Sequence, residues 1–451
     1  MDEKNSNKIG IPQKIWLQLC TFFVKTFYKK VEISGAEKLS HNKPVILCAN
    51  HSNALADAVL LQYSSSQLIH PLARSGLFKN PFLNIILSVW KAVPVYRRQD
   101  SENGLVNNDQ MFSKVYEMLA DKQIIMIFPE GQSHSDPKLR KIKTGISRII
   151  LGYKDKYGQF PEVIPVGLNF TQTTRFRSNV FIKFGDSLEF DENMQADNEV
   201  HIKQLTEIVM KSMRDQVLEI DEVDDLVFVK QIERFFALRH KKIRRRNLSQ
   251  KFKSHKLLLT VKGYLNNHVP DEINRFKLHL KQFNRLCGKL GINDYNLNIT
   301  YNSKIIRNFV FKSLFTILVM LPVGLWGFIN SFLPFLLTKF LSEQLTRAED
   351  QRDTAKILIG TLLFCLFWGI QTQRIVSYYG FNIGLMYFLS LIPASLVALI
   401  ITHEHVKIID NLRVFVVLIK KKRLRRYLIR KRKDIEQELA NLLKLARKYR
   451  D

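Results

Sequence analysis

The sequence predicts an α/β domain with a mostly buried sheet flanked by helices, followed by a helical region and C-terminal transmembrane helices. Short apolar runs bounded by turn residues alternate with helical patterns over residues 31–215, which is typical of a sheet covered by helices. Residues 216–307 are polar, basic and helical by pattern, and long stretches after residue 308 carry no charge. The predicted regions are 1–30, 31–215, 216–307, 308–404 and 405–451.

Three apolar runs in the α/β region are predicted to be buried strands, namely "PVILCAN" (44–50), "IIMIFPE" (124–130) and "VIPVGLNF" (163–170). Helical patterns at 80–91 and 108–121 lie between them, and residues 179–190 add one further strand or two. In open α/β sheets, ligands bind beyond the carboxyl ends of the strands. We therefore expect His51 and Glu130, which each follow a strand, to lie at one rim of the sheet.

Three uncharged stretches in region 308–404 predict two to three membrane spans. They are Ser313–Thr338 with 26 residues, Ile357–Gln373 with 17 and Ile375–Thr402 with 28. Each is near or above the length that crosses the hydrocarbon core as a helix. The chain is therefore expected to be an integral membrane protein.

Basic residues on both sides of these stretches suggest how the chain is oriented. Lys304, Arg307 and Lys312 precede the first stretch, and residues 420–433 after the last contain ten Lys or Arg. Because positive flanks favour the cytoplasm, we expect the α/β domain and the basic helical tail (405–451) on that side, with an even number of crossings. The stretch 313–338, broken by prolines and glycines, is then predicted to be a re-entrant or interfacial hairpin. A single ordinary span remains the alternative.

Residues 1–30 are predicted to contain an amphipathic helix at the membrane interface. Aromatic and aliphatic residues of 11–30 alternate with four lysines, and the uncharged part is too short to span a bilayer. A helix that packs on the core of the α/β domain is the alternative.

The formal net charge of +28 indicates an anionic partner, either a membrane surface or nucleic acid. No recognition-helix, aromatic RNA-binding or zinc-finger pattern occurs, so we expect membrane lipids and no nucleic acid. The basic cluster at 238–247 is interpreted as a solvated helix face, with lipid headgroup contact as the alternative. Four cysteines lie far apart without metal-ligand spacing, which predicts buried free thiols and no metal site.

Four motifs in the α/β region carry candidate chemistry. Asn50-His51 precedes Asp57, and "KAVPVYRR" (91–98) ends in two arginines. "IFPEGQS" (127–133) is followed by Lys143, and "VIPVGLNF" comes last. Each motif alone is a weak signal, but the four in this order on a membrane-associated α/β domain are specific.

With these motifs, residues 31–215 resemble the glycerolipid acyltransferase superfamily, the lysophosphatidate and glycerol-3-phosphate acyltransferases. The apolar C-terminal half resembles the fungal-type glycerol-3-phosphate/dihydroxyacetone-phosphate acyltransferase branch and its bacterial relatives. The resemblance implies a membrane-bound O-acyltransferase of phospholipid biosynthesis that uses acyl-CoA or acyl-carrier protein as donor and no cofactor. Its implied acceptor is a phosphorylated glycerol, either glycerol-3-phosphate or lysophosphatidate. Another lysolipid or alcohol acceptor, or a non-catalytic lipid-binding protein with a degenerate acyltransferase fold, remains open.

Residue types at the motif positions suit acyl transfer. An imidazole at His51 can remove the proton of an attacking hydroxyl, and a carboxylate at Asp57 can orient the ring. The resemblance implies that Arg97 and Lys143 bind the acceptor phosphate, and that Glu130 and Gly131 form part of the acceptor site.

Two departures from the family pattern affect these expectations. Lys91 stands where the second motif usually opens with glycine, and five residues rather than four separate His51 from Asp57. Positions six apart on a helix point about 240° away from each other. If the two side chains pair, residues 52–56 cannot be continuous helix, and Asn53 suits an irregular turn there.

Overall fold

The structure is a computed structural model and describes residues 10–39, 42–96, 108–134, 136, 138–173, 177–220, 225, 227–233, 247–290, 307–308, 311, 314–345, 349–420 and 422–448. The chain divides into two compact units. The first comprises Met1–Asp221 and Thr346–Thr354, and the second comprises Glu222–Leu345 and Ala355–Asp451.

The first unit alternates strands and helices along the chain. In order they are α1 (Ile11–Phe27), β1 (Lys30–Ser34), a 3₁₀ turn (Ala36–Lys38), β2 (Val45–Ala49), α2 (Ala54–Tyr63), β3 (Ile69–Arg74), a second 3₁₀ turn (Ser75–Lys79), α3 (Pro81–Val89), β4 (Val93–Val95), α4 (Asp109–Ala120), β5 (Ile124–Ile127), α5 (Gly145–Tyr157), β6 (Glu162–Phe170), β7 (Asn179–Phe184) and α6 (Glu199–Gln216).

The strands of the described residues form one seven-stranded sheet in the order β1-β7-β6-β2-β5-β3-β4. All neighbouring pairs are parallel except β6 and β7. Every residue of β2 is buried, as expected for a strand covered by helices on both faces. The predicted α/β class with a mostly buried sheet is confirmed.

The central strands were predicted more completely than the edges. β2 and β5 lie within the predicted runs and β6 begins one residue before its own, whereas β1, β3 and β4 were not predicted. β1 is a half-exposed edge strand and β4 has only three residues, so neither produces a long apolar run. After β7, the described residues 185–190 contain no second strand.

Both faces of the sheet are packed. Helices α4, α5 and α6 cover one face, and α1 and α2 pack with Trp90 on the other. Trp16 of α1 lies 4.8 Å from Trp90, measured between ring centroids. The opposite face of α1 leaves four apolar residues exposed, Ile11, Ile15, Leu19 and Phe22. Helix α1 thus packs on the core as the alternative expected, and the interfacial role of its outer face stays a prediction.

The second unit is helical in the residues that the structure describes. Its helices are α7 (Leu248–His268), α8 (Pro270–Lys289), α9 (Leu321–Leu345, preceded by a π-helical turn at Thr316–Met320), α10 (Glu349–Tyr379, of which the part from Ala355 belongs to this unit), α11 (Phe381–Lys420) and α12 (Lys422–Lys448). An apolar face of the basic helix α12, including Leu428 and Leu439, packs with Phe276 and Leu280 of α8. The cluster at 238–247 lies outside the described residues except for Asn247, which caps α7.

Three helices among the described residues are long and apolar enough to cross a membrane: Thr316–Leu345, Ile359–Tyr379 and Phe381–Ile401. The hairpin predicted for 313–338 is wrong over its described part, because residues 316–345 form one continuous helix. Pro334 lies inside it and removes one backbone donor. In a regular helix, the N–H of residue 334 would donate to the carbonyl of Asn330. That carbonyl instead accepts a hydrogen bond of 3.2 Å from Gln371 Nε2. A neighbouring helix therefore compensates for the proline.

None of the four cysteines forms a disulfide. Cys20, Cys48 and Cys287 are buried as predicted, and burial raises the pKa of the Cys20 thiol to about 12. Cys365 is exposed on the surface of the candidate span Ile359–Tyr379, so its burial within a membrane stays a prediction.

Candidate active site

The loop between β2 and α2 brings His51 and Asp57 together. His51 Nδ1 lies 3.0 Å from Asp57 Oδ2, and the same oxygen accepts from the backbone N–H groups of Ser52 (2.6 Å) and Asn53 (2.7 Å). The backbone is not helical at residues 51–53, and α2 begins at Ala54, which has a φ of +42°. The predicted interruption of helical geometry is therefore present, and it accommodates the extra residue between the two side chains.

These contacts define how the His51 ring can act. Because Asp57 Oδ2 already accepts from two backbone N–H groups, it acts as an acceptor here, so His51 Nδ1 is assigned the ring proton and Nε2 the lone pair. Within the described residues, no hydrogen bond engages His51 Nε2. The ring stacks on Phe128 with centroids 4.1 Å apart, and the His51 side chain is 17% exposed. His51 is thus an oriented imidazole with an accessible basic nitrogen.

Two asparagines, Asn50 and Asn53, hold this loop by hydrogen bonds that were not predicted from the sequence. Asn50 Oδ1 accepts from the Leu168 N–H at 2.7 Å, and its Nδ2 donates to the Leu168 carbonyl at 3.1 Å, so the end of β2 is tied to β6. Asn53 Nδ2 donates to the Thr173 carbonyl at 2.9 Å. The sequence feature that could have indicated a role for Asn50 is its position next to His51 at the end of a predicted strand.

A tight turn after β5 presents the third motif. The Gly131 N–H donates to the Phe128 carbonyl at 3.0 Å, and Pro129 occupies the turn position that favours proline. Gly131 has a φ of +78°, in the left-handed region that favours glycine. An added Cβ would lie 3.4 Å from Lys143 Cγ, so backbone conformation is the stronger reason for glycine here.

This turn directs Glu130 towards the backbone of the His51 loop. Glu130 is 4% exposed, and its Oε1 accepts from the His51 N–H at 2.7 Å. Its Oε2 accepts from the Arg140 N–H at 2.8 Å and is hydrogen-bonded to His134 Nε2. Protein groups therefore engage both oxygens. The two residues lie at one rim of the sheet, as the sequence predicted, but the acceptor contact predicted for Glu130 stays a prediction.

A cleft of about 790 Å³ opens beside the turn. Phe128, Glu130, Gly131 and Lys143 line it, together with three basic residues that the sequence interpretation did not select, Arg74, Arg140 and Lys141. Arg140 forms an ion pair of 2.6 Å with Asp136. Arg97, the other predicted phosphate ligand, lies outside the described residues. The cleft is thus lined by apolar residues and by four basic ones, and the phosphate-binding role predicted for Lys143 stays a prediction.

The departure at Lys91 has a backbone explanation. Lys91 has a φ of +53°, and the Ala92 N–H donates to the Leu87 carbonyl at 2.8 Å at the end of α3. Glycine is favoured at such helix ends because it adopts positive φ without a Cβ penalty. Lysine adopts the same conformation here, so the replacement does not disrupt the turn that leads into β4.

A seven-stranded, mostly parallel sheet with a His–Asp pair at its rim and a basic cleft beside that pair is the arrangement expected of an acyltransferase domain. Residues 30–169 match the Acyltransferase family model. Residues 30–169 therefore carry an acyltransferase domain, and this match supports the glycerolipid acyltransferase superfamily that the motifs predicted.

The comparisons also identify individual relatives. The chain is 24% identical over 309 residues to glycerol-3-phosphate O-acyltransferase 1 of Saccharomyces cerevisiae, an alignment that covers 61% of this chain and 38% of the yeast protein. It is 26% identical over 194 residues to the 1-acyl-sn-glycerol-3-phosphate acyltransferase of Borreliella burgdorferi, covering 42% of this chain and 71% of that one. A crystal structure of the Thermotoga maritima 1-acyl-sn-glycerophosphate acyltransferase matches with 19% identity and a TM-score of 0.34, covering 45% of this chain and 79% of that one. The chain thus spans well under half the length of the yeast relative.

Proposed function

We propose that this protein is a membrane-bound O-acyltransferase that transfers a fatty acyl group from acyl-CoA or acyl-carrier protein to glycerol-3-phosphate or lysophosphatidate. The proposal depends chiefly on the hydrogen bond of 3.0 Å between His51 Nδ1 and Asp57 Oδ2, which leaves Nε2 available as a base. The names of the yeast and Borreliella relatives support this choice of acceptor.

The proposed chemistry is direct attack of the acceptor hydroxyl on the thioester. His51 Nε2 removes the hydroxyl proton as the oxygen forms a bond to the carbonyl carbon. The tetrahedral intermediate then collapses with cleavage of the C–S bond, and the imidazolium returns the proton to the departing thiolate. Asp57 stabilises the imidazolium through the Nδ1–H bond. The products are an ester and a free thiol, so the reaction balances without a cofactor.

Positive charge in the cleft supports a phosphorylated acceptor. Lys143 and Arg74 line the cleft, and both provide donors for phosphate oxygens. Arg140 contributes less in this proposal, because Asp136 engages its guanidinium. Arg97 remains a proposed phosphate ligand on the basis of its motif.

We further propose that the acyltransferase domain and the basic helix α12 both lie on the cytoplasmic side of the membrane, which requires that two of the three candidate helices cross the bilayer. The exposed apolar face of α1 and the three candidate spans support contact with lipid. The basic residues of α12 support an anionic leaflet as the neighbour. Protease protection of tags placed before α1 and after α12, in sealed membranes, measures this orientation.

Acyl transfer in membranes tests the proposed reaction. Wild-type and His51→Ala proteins are given labelled acyl-CoA or acyl-carrier protein, with glycerol-3-phosphate and lysophosphatidate in competition. We expect His51→Ala to lose about 10²–10⁴-fold in kcat, the usual contribution of a general base. Full activity in that variant would refute the proposal, and acceptor binding without product in the wild type would favour a non-catalytic lipid-binding protein.

A second variant tests the class of acceptor. Lys143→Ala should raise the KM for phosphorylated acceptors by about ten-fold, which corresponds to the loss of about 1.4 kcal/mol of binding. The same variant should leave the KM for a phosphate-free alcohol unchanged. Equal effects on both acceptors would favour another lysolipid or alcohol as the natural substrate.

A further inference from the structure

We propose that His134 is a positioning residue that orients His51 for proton transfer by holding the Glu130 carboxylate against the His51 backbone. The inference rests on the proposed function, since it assigns His134 a part in making His51 an effective base. No motif of the sequence interpretation assigned a role to His134.

His51 is held on both sides of its backbone by the segment that contains His134. The His51 N–H donates to Glu130 Oε1 at 2.7 Å, and the His51 carbonyl accepts from the His134 N–H at 3.1 Å. His134 Nε2 is in turn hydrogen-bonded to Glu130 Oε2. These contacts form a closed set that joins the ends of β2 and β5.

The surroundings of His134 favour positioning over substrate binding. Its side chain is 4% exposed, and it is not among the residues that line the cleft. Its Nδ1 faces the Asp136 carboxylate at 3.8 Å, and Asp136 also binds Arg140. His134 therefore lies behind the base, between two carboxylates, where it contacts the motif that holds His51.

The geometry explains why this matters for the rate. The Asp57 contact fixes rotation of the His51 ring, but it does not fix the backbone from which the ring projects. That backbone is held by Glu130 Oε1 and by the His134 N–H, and two groups orient the Glu130 carboxylate through Oε2, namely the backbone N–H of Arg140 and the His134 side chain. Displacement of a reacting group by about 1 Å can reduce a rate about 100-fold.

Two substitutions distinguish the effect of the His134 hydrogen bond from the effect of the volume of its side chain. His134→Leu fills a similar space without a donor, whereas His134→Gln places an amide nitrogen at the same number of bonds from Cα as Nε2. His201→Leu, on α6 and away from the cleft, is the matched control. The measurements on the full-length protein in membranes are kcat, the acceptor KM, the melting temperature and the rate at which diethyl pyrocarbonate modifies His51, followed by peptide mass spectrometry.

We expect His134→Leu to lower kcat by about 100-fold and to change the acceptor KM by less than about three-fold. His134→Gln should stay within about five-fold of the wild type, since it restores the donor. Glu130→Gln should lower kcat to a similar extent, and combining it with His134→Leu should add little, because both changes break one set of contacts. If His134→Leu fails to fold, His134→Asn, whose shorter amide cannot reach Glu130, replaces it.

The outcomes distinguish this inference from the proposed function. A folded His134→Leu protein with wild-type kcat, or with a raised KM and unchanged kcat, overturns the inference and leaves the proposed function intact. If the wild type transfers no acyl group, the proposed function fails. The rate at which diethyl pyrocarbonate modifies His51 then tests the inference by itself. His51 should be modified at least about three-fold faster in His134→Leu and at the wild-type rate in His134→Gln. That result supports the inference, because it shows that the His51 loop is more mobile without the His134 hydrogen bond. Equal rates in all three proteins refute it.

Discussion

Buried and partly buried polar side chains occur both at the rim of the acyltransferase sheet and among the apolar helices, and the two groups differ in which polar atoms remain without a hydrogen bond. At the rim, Asp57 and Glu130 are engaged by the protein, while His51 Nε2 has no hydrogen bond among the described residues. Among the helices, Tyr387 Oη donates to Asn330 Oδ1 at 2.7 Å, and Gln371 Nε2 donates to the Asn330 carbonyl at 3.2 Å. The arrangement at the rim leaves His51 Nε2 available to react, and the arrangement among the helices joins α9, α10 and α11.

This difference follows from the surroundings of each group. A site beside an open cleft can leave a nitrogen without a protein hydrogen bond, because water or substrate can donate one to it. Polar groups between apolar helices have only each other as partners, so they serve as helix contacts. We therefore expect changes at the rim to alter kinetics, and changes among the helices to alter stability.

The largest expected effect comes from Asp57→Asn. The amide disturbs the hydrogen bond that assigns the His51 tautomer, so kcat should fall by about 10³–10⁴-fold while the melting temperature changes little. Steady-state acyl transfer and thermal unfolding in detergent measure the two quantities. A large fall in melting temperature with kcat retained would show that the pair stabilises the fold rather than the reaction.

A buried histidine outside the site provides a pH test of the acyltransferase domain. Burial lowers the pKa of His70 to about 4, opposed in part by its hydrogen bond of 3.3 Å to the Trp90 carbonyl. The unfolded chain takes up a proton near pH 6.5 and the folded one does not, so stability should fall by up to about 3 kcal/mol between pH 6.5 and 4. Above pH 6.5 this contribution is fully present.

His70→Asn is the control for that test, because its amide can donate to Trp90 without titrating. Urea unfolding followed by tryptophan fluorescence should show a smaller loss of stability for the variant across the same pH range. Equal losses in both proteins would mean that other groups cause the acid sensitivity.

Among the apolar helices, glycine substitutions test close packing. A Cβ at Gly327 would meet the Ala394 carbonyl oxygen at 2.1 Å, whereas a Cβ at Gly369 meets nothing within 4 Å. Gly327→Ala should therefore destabilise the protein by about 1–3 kcal/mol through overpacking of α9 against α11. Gly369→Ala, the matched control, should be neutral or slightly stabilising. Thermal unfolding in detergent measures both, and equal effects would contradict the observed helix contact.

The smallest effect is expected at the polar contact between the helices. Asn330→Leu removes the nearer of two acceptors of Tyr387 Oη, the other being Gln371 Oε1 at 3.3 Å. The loss should cost about 0.6 kcal/mol, the average for hydrogen bonds between membrane helices, and at most about 1.7 kcal/mol. Acyl transfer per folded molecule should not change. A selective loss of kcat at full stability would show that this contact takes part in the reaction after all.

Much of the candidate site could be predicted from residue types and order. His51, Asp57 and Lys143 were selected from motifs, and the pairing of the first two required a break in helical geometry that the structure contains. The edge strands were missed because short or half-exposed strands lack a long apolar run. The hairpin was predicted from an even number of crossings and from the prolines and glycines of 313–338, and a contact from Gln371 compensates for one of those prolines, Pro334.

The sequence by itself determined the chemical groups of the site, the buried central strands and the apolar C-terminal helices, because residue type and spacing carry that information locally. Only the tertiary structure decided that Glu130 holds the His51 backbone, that His134 lies behind it, and that Arg74 joins Lys143 at the cleft. The Glu130 contact joins residues 79 positions apart. The direction of a side chain across such a distance depends on strand order and register, and no local pattern specifies either of these.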